Sequence, residues 1–241
     1  MTLKEVISSV EGEGYELDKR PFKLNVVGIR NIADTMPDEF QDEIGYFYFD
    51  NNGKPVGSVA RGTTSPSVYF LQNPMVSSGT AILKQGQYKD SYAVGLHAGK
   101  YSALVQVKPV TVIRDKDRND YLDFFSDTQT GLFGINIHRA SRGKKNEAII
   151  GADSAGCQVY MYEADFNAMM SMANKSRDMY GNKFTYTLID KREQFKKKRN
   201  YALVGGILIA MTLYVYYLKK KVFWYTLPYL VLIGTLDTSL S

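Results

Sequence analysis

Eighteen consecutive residues, 201–218, carry no charge, and a cluster of basic residues flanks them on each side. This run limits what the chain can fold into more than any other feature. A helix that crosses a bilayer needs about 20 apolar residues, with a lower limit of about 17. A buried core helix would have to take Lys198, Arg199, Lys219 and Lys220 into a globule with it. A second uncharged run, 222–236, contains Trp224, Tyr225, Pro228 and Tyr229, residue types that suit the headgroup belt. The expectation is a transmembrane helical hairpin at 201–241 (201–218 and 222–236), preceded by a basic juxtamembrane linker at 191–200. Six basic residues precede the first run and three follow it, so the positive-inside bias puts the body of the protein on the cytoplasmic side of the membrane.

Charge divides the chain at the same place. The net charge is +5 overall, but residues 191–241 carry +7 and residues 1–190 carry −2. The basicity lies beside apolar runs and faces a lipid bilayer, so nucleic-acid binding by the body is not supported. Residues 1–22 lack the apolar core of an export signal and read as an N-terminal arm or capping helix. One cysteine excludes an internal disulfide framework.

Residues 23–190 read as mainly β with frequent turns. Residues 23–29 form a first strand. Residues 44–49 and 55–60 flank Asp50-Asn51-Asn52-Gly53, whose residue types tolerate the positive φ of a hairpin turn. Further short strands are expected at 68–71, 92–96, 103–107, 110–114 and 183–189, and residues 79–86 form a loop or short strand. Phe166, Met169, Met170 and Ala173 fall on one face of a helix over 163–177. The acidic stretch Asp115, Asp117, Asn119, Asp123 has part of the spacing of a calcium loop. It lacks the glycine at position six (Asp120) and the acid at position twelve (Ser126), so a solvated turn is the stronger reading. Nothing in the sequence calls for a cofactor or a metal.

Two short motifs carry chemistry. Phe133, Ile135 and Ile137 alternate along a strand that ends at His138, one of only two histidines. Nineteen residues later Ser154-Ala155-Gly156-Cys157 places the single cysteine just after a glycine. A thiol near an imidazole suggests a nucleophile and its base, although a lone cysteine is more often inert and buried.

The order of these features resembles the catalytic domain of the L,D-transpeptidases (the YkuD family), in a divergent branch similar to that carried by phages and relatives of gut Bacteroidetes. The resemblance covers about residues 23–190. It rests on the hairpin, on Thr64-Ser65-Pro66 within Gly62 to Tyr69, on Ile137-His138, and on Ser154-Ala155-Gly156-Cys157. It implies a β-sandwich with one or two short helices. It further implies Cys157 as nucleophile, His138 as base, and an oxyanion hole from the N–H groups of Ala155, Gly156 and Cys157. The carbonyl of Arg139 would orient the histidine. The implied reaction is acyl transfer on peptidoglycan stem peptides through a thioester, ending in cross-linking or in hydrolysis. The chain departs from the family at Ala155, where a histidine is usual, and at Val159, where arginine or asparagine is usual. Gln158 points to the other strand face from Val159. His97 is a candidate for the missing imidazole, and Ser154, Lys84, Tyr88 and Arg139 are candidate orienting or substrate-binding groups. The alternatives are a non-catalytic wall-binding or virion-associated protein that keeps the fold, and a membrane-tethered scaffold with a buried Cys157.

Overall fold

A computed structural model describes residues 1–31, 38–142, 148–195, 197 and 211–212. Met1–Arg192 form one compact unit and Glu193–Ser241 a second. The expected membrane hairpin falls almost wholly outside the described residues, as do 196 and 198–200 of the expected basic linker, whose residues 191–195 are helical. Among the described residues, no helix is long and apolar enough to cross a membrane.

The first unit is mainly β. In place of the expected sandwich, its main sheet closes on itself. The wall runs β1 (Asn25–Arg30), β11 (Phe184–Asp190), β5 (Gly86–His97), β6 (Tyr101–Gln106), β9 (Ile137–Arg139), β10 (Gln158–Tyr160), β3 (Pro55–Thr63), β2 (Asp42–Phe49) and back to β1. Closure follows from the place of β1, which pairs antiparallel with β2 and parallel with the last strand, β11. The two ends of the sheet therefore meet, and no edge is left to pair elsewhere. The hairpin expected at 44–60 is β2–β3, turned by residues 50–53, with Asp50 Oδ1 accepting the N–H groups of Asn52 and Lys54. A second sheet, β4 (Thr80–Leu83), β7 (Val110–Asp115) and β8 (Thr128–Gly131), packs beside the barrel.

The barrel interior is filled by Leu24, Val26, Ile44, Tyr92, Leu104, Ile137, Tyr160, Tyr186 and Leu188. Tyr186 is admitted because β1 carries Gly28 opposite it; a Cβ there would collide with the phenol. Helix α3 (Glu163–Tyr180) lays Phe166, Met169, Met170 and Ala173 on the same cluster, as its apolar stripe dictates.

Two expectations fail for identifiable reasons, and of the two readings of residues 1–22 the capping helix holds and the arm does not. Residues 1–22 are not a free arm. Thr2 and Glu5 form a capping box for α1 (Leu3–Gly12), which buries Val6 and Val10 against Val27, Ile29, Phe47 and Ile189. Residues 68–71 belong to a short helix, α2 (Val68–Gln72), not to a strand. The strand before them, β3, already has β2 and β10 on its two sides, so a β-prone segment there finds no ladder and satisfies its backbone in a helical turn. The run 133–137 is extended but pairs only from Ile137, because Gln106 takes its earlier amides: Gln106 Oε1 accepts the N–H groups of Phe133 and Ile135 at 3.1 and 3.0 Å.

Candidate active site

The parallel pairing of β9 with β10 sets His138 level with Val159 and Ile137 level with Gln158, so that Asn136 and Cys157 come next, two residues back along the two chains. Since strand side chains alternate, His138 and Cys157 project from the same face of the barrel wall, diagonally placed. Gln158 projects inward. It is fully buried, accepts from Tyr186 Oη at 2.7 Å, and donates to the carbonyl of Gly156 at 3.1 Å. It thus anchors the turn before the cysteine from inside the barrel and stays out of the site. Val159 packs with Phe40, Ala140 and Ile150 and offers no polar group.

The turn itself is narrowly specified. Gly156 has φ +119°, and a Cβ there would run into the carbonyl oxygen of Ala81 on β4. Ser154 Oγ lies 2.9 Å from the carbonyl oxygens of both Ser65 and Cys157 and accepts the Gly156 N–H at 3.2 Å. The Ser67 N–H donates to Ser154 O at 3.0 Å. The Thr64-Ser65-Pro66 loop and the cysteine turn are therefore one hydrogen-bonded body. That loop is held in turn by Arg30, which is fully buried and donates to Thr64 Oγ1, Thr64 O and Leu83 O and lies 3.5 Å from Asp190. The Gly156 N–H is thus taken by Ser154. Of the three amides expected to form an oxyanion hole, those of Ala155 and Cys157 donate no hydrogen bond among the described residues.

His138 is 3% exposed. Its Nδ1 lies 2.8 Å from Arg139 O, and the Tyr101 hydroxyl approaches both atoms at 3.2 Å. A proton on Nδ1 satisfies this arrangement and leaves Nε2 as a lone-pair acceptor. Nε2 is buried and has no hydrogen-bond partner. Burial, reinforced by the neighbouring His97, pushes the imidazole pKa down to about 4. The half-buried Cys157 accepts the Asn136 N–H at 3.4 Å and donates its thiol to Gly134 O at 3.4 Å. Burial pushes this thiol up to about 11, against the pull of the Asn136 N–H. Sγ is not hydrogen-bonded to His138. The site rests as a neutral thiol and a neutral imidazole.

His97 reaches the site from the end of β5. The turn after it has two residues at positive φ, Ala98 and Gly99, and a Lys100 N–H to His97 O bond of 2.9 Å. This folds the ring over His138, with centroids 3.9 Å apart. The Gln106 N–H donates to Asn136 Oδ1 at 2.9 Å, which makes the Asn136 amide nitrogen the donor to His97 Nδ1 at 3.1 Å. His97 is therefore neutral, with its proton on Nε2, in keeping with a pKa lowered by burial and by Lys100.

Both imidazoles and Cys157 line a cleft of about 540 Å³ between the barrel wall and the second sheet. Phe70, Met75, Val76, Leu132 and Phe133 supply its apolar walls, and Ala155 and Arg114 also line it. The substrate-binding candidates Lys84, Tyr88 and Arg139 do not. The Tyr88 hydroxyl donates to Lys84 O, and the Arg139 guanidinium lies over the Tyr101 ring at 4.4 Å and 3.5 Å from Glu163. Sequence reasoning missed Asn136, Tyr101 and Arg114; each sits in a strand or loop where its residue type alone carries no signal.

In the acidic loop, Asp115 is fully buried, with Oδ2 accepting the Asp123 N–H at 2.8 Å and Oδ1 unpartnered. No group of three or more metal-ligating side chains forms among the described residues. No family model matches the chain, and no curated protein matches it.

Proposed function

We propose that this protein is a cysteine acyltransferase or peptidase of the L,D-transpeptidase type, acting on peptidoglycan stem peptides. The finer family reading of the fold and the membrane anchorage at 201–236 belong to the same proposal and rest on sequence. The observation that carries the proposal is the His138 arrangement: Nδ1 held at 2.8 Å by Arg139 O, with an unpartnered Nε2 buried on the face that also presents Cys157. This is the orienting contact that the resemblance led one to expect.

In the proposed reaction the thiol leaves Gly134 O and gives its proton to His138 Nε2 as Sγ attacks the substrate carbonyl carbon. The oxyanion of the tetrahedral intermediate accepts from the Ala155 and Cys157 amides. Collapse breaks the C–N bond, and the departing amine takes the proton from His138. An amine or a water molecule then attacks the thioester, returning the proton to sulfur through the same imidazole.

One observation favours a second reading, a wall-binding or virion-associated protein that keeps the fold without turnover. Burial acts against ionisation of both partners, and Gly156, one of the expected oxyanion donors, is already engaged. Intact-mass analysis of the full chain in detergent, after incubation with a carbapenem or a stem tetrapeptide, separates the two. The enzyme reading expects a covalent adduct that Cys157→Ser abolishes and His138→Gln slows at least tenfold. Folded wild-type protein that stays unmodified would overturn it.

A further inference from the structure

The cleft holds a buried positive charge with no counter-charge. Arg114, on β7, is 8% exposed and lines the same cleft as Cys157. Its Nε donates to Gln129 Oε1 at 2.8 Å and its Nη1 to Gly79 O at 3.0 Å, and its guanidinium lies 4.6 Å from the centroid of the Phe133 ring. All three partners are neutral. Among the described residues no carboxylate comes within ion-pair distance of it, and Nη2 donates no hydrogen bond. The one acidic side chain that lines the cleft, Asp153, is engaged by the N–H and hydroxyl of Ser141.

A buried guanidinium without an anion is expensive, and its charge stays on, since arginine does not give up its proton in proteins. The protein meets the cost by two neutral acceptors and an aromatic face, which orient the fork and leave one edge unspent. Such an edge recognises a carboxylate better than any neutral group, through a short charge-assisted hydrogen bond. Desolvation by the surrounding apolar walls strengthens that bond relative to one in water.

We propose that Arg114 is the subsite for a carboxylate carried by the acyl donor, so that the cleft selects anionic peptide substrates over neutral ones. This deepens the reading of Cys157 as a nucleophile and rests on it. It also accounts for the distribution of basic groups: Arg139, which is nearer to His138 in sequence, is committed to Glu163 and Tyr101, and among the described residues the one arginine lining the cleft comes from the other sheet.

The test compares a carbapenem bearing its free carboxylate with the same compound esterified at that position, measuring the rate of Cys157 acylation on the full chain in detergent. The wild type is expected to favour the acid by about 10- to 100-fold. Arg114→Gln should erase that preference by slowing the acid far more than the ester, and Arg114→Lys should restore part of it. Equal wild-type rates for acid and ester would overturn the subsite and leave the cysteine chemistry standing. So would an Arg114→Gln protein that loses both rates equally, which marks a structural arginine. Absence of adduct with either compound overturns the nucleophile reading and the subsite with it. The wild-type comparison needs no variant, so a folding defect in Arg114→Gln does not blunt the test.

Discussion

The imidazoles of His97 and His138 stack face to face, their centroids 3.9 Å and their planes 21° apart. One ring comes from a hairpin end and the other from a three-residue strand, and the stack makes them one unit. Two rings this close cannot both become imidazolium at low cost, and each also shields the other from water. His138 is neutral in the ground state chiefly because it is buried, and secondly because His97 sits against it.

The acid limb of the acylation rate should report this stack. With the His138 pKa lowered from 6.5 to about 4, neutral Nε2 is available down to about pH 4, and activity should fall only below that. His97→Ala admits water to the His138 ring and removes a second imidazole that would compete for a proton, so the His138 pKa rises toward 6.5 and the acid limb moves up with it. His97→Phe keeps the ring over His138 and should shift the limb less. A pH–rate profile for each protein, with an NMR titration of the His138 ring, measures the displacement; an unmoved limb in His97→Ala would show that the stack does not set it.

Alkylation of Cys157 by iodoacetamide gives an independent reading of the resting state. A thiol with its pKa raised from 9.0 to about 11 should react slowly at pH 7, and its rate should climb about tenfold per pH unit up to about pH 10. A resting thiolate–imidazolium pair would instead give a plateau from neutral pH upward. The rate of carboxamidomethylation across pH 6–10, followed by mass, distinguishes the two.

Gly156→Ala should disable the site through its backbone. The residue has φ +119°, and the added methyl meets the Ala81 carbonyl, so both torsion and contact oppose it. A cost of about 1–3 kcal/mol is expected from the torsion alone, with loss of acylation because the Ala155 and Cys157 amides are re-aimed. Chemical denaturation measures the first effect and adduct formation the second. Retention of both would mean that the turn relaxes freely.

Asp115 should make stability depend on pH in the direction opposite to most carboxylates. Its pKa is raised from 3.8 to about 6 by burial, so the folded state holds the proton more tightly than the unfolded chain does. Stability should therefore fall as pH rises from about 4 through 6, and the deficit is complete above that. Asp115→Asn removes the charge while its side-chain oxygen still accepts from Asp123. The variant should gain more in Tm at pH 8 than at pH 4.5, as measured by thermal unfolding at both. A larger gain at pH 4.5 would reverse the assignment.

Much of the wall was readable in advance because local chemistry settles it. The 50–53 turn, the helix read at 163–177 with its stripe, and the placing of Gln158 on the opposite strand face from Val159 all follow from residue type and strand or helix period. The α1 stripe of Leu3, Val6, Ile7 and Val10 was equally present in the sequence, and reading it would have docked the N-terminus. Residues 68–71 were misread because β propensity describes a fit to neighbouring strands, and none is available there. Arg114 was invisible for a similar reason. In a Val-Thr-Val-Ile-Arg strand it reads as an ordinary outward charge, and only the packing of the second sheet against the barrel turns that position into a cleft wall.

The sequence alone determined the residues able to do chemistry and their spacing, because one thiol and two imidazoles leave few choices. It also determined the break in character at residue 191, because charge and apolarity are properties of residues and need no fold. The tertiary structure decided closure of the sheet, the stacking of His97 on His138, the loss of Gly156 as a free amide, and the place of Arg114. These depend on contacts between segments as far apart as residues 26 and 186, and no local period encodes such contacts. For the Ser154 to Cys157 turn, composition supplied a thiol, and the barrel and the second sheet supplied the buried imidazole on the same face and the guanidinium that lines the same cleft.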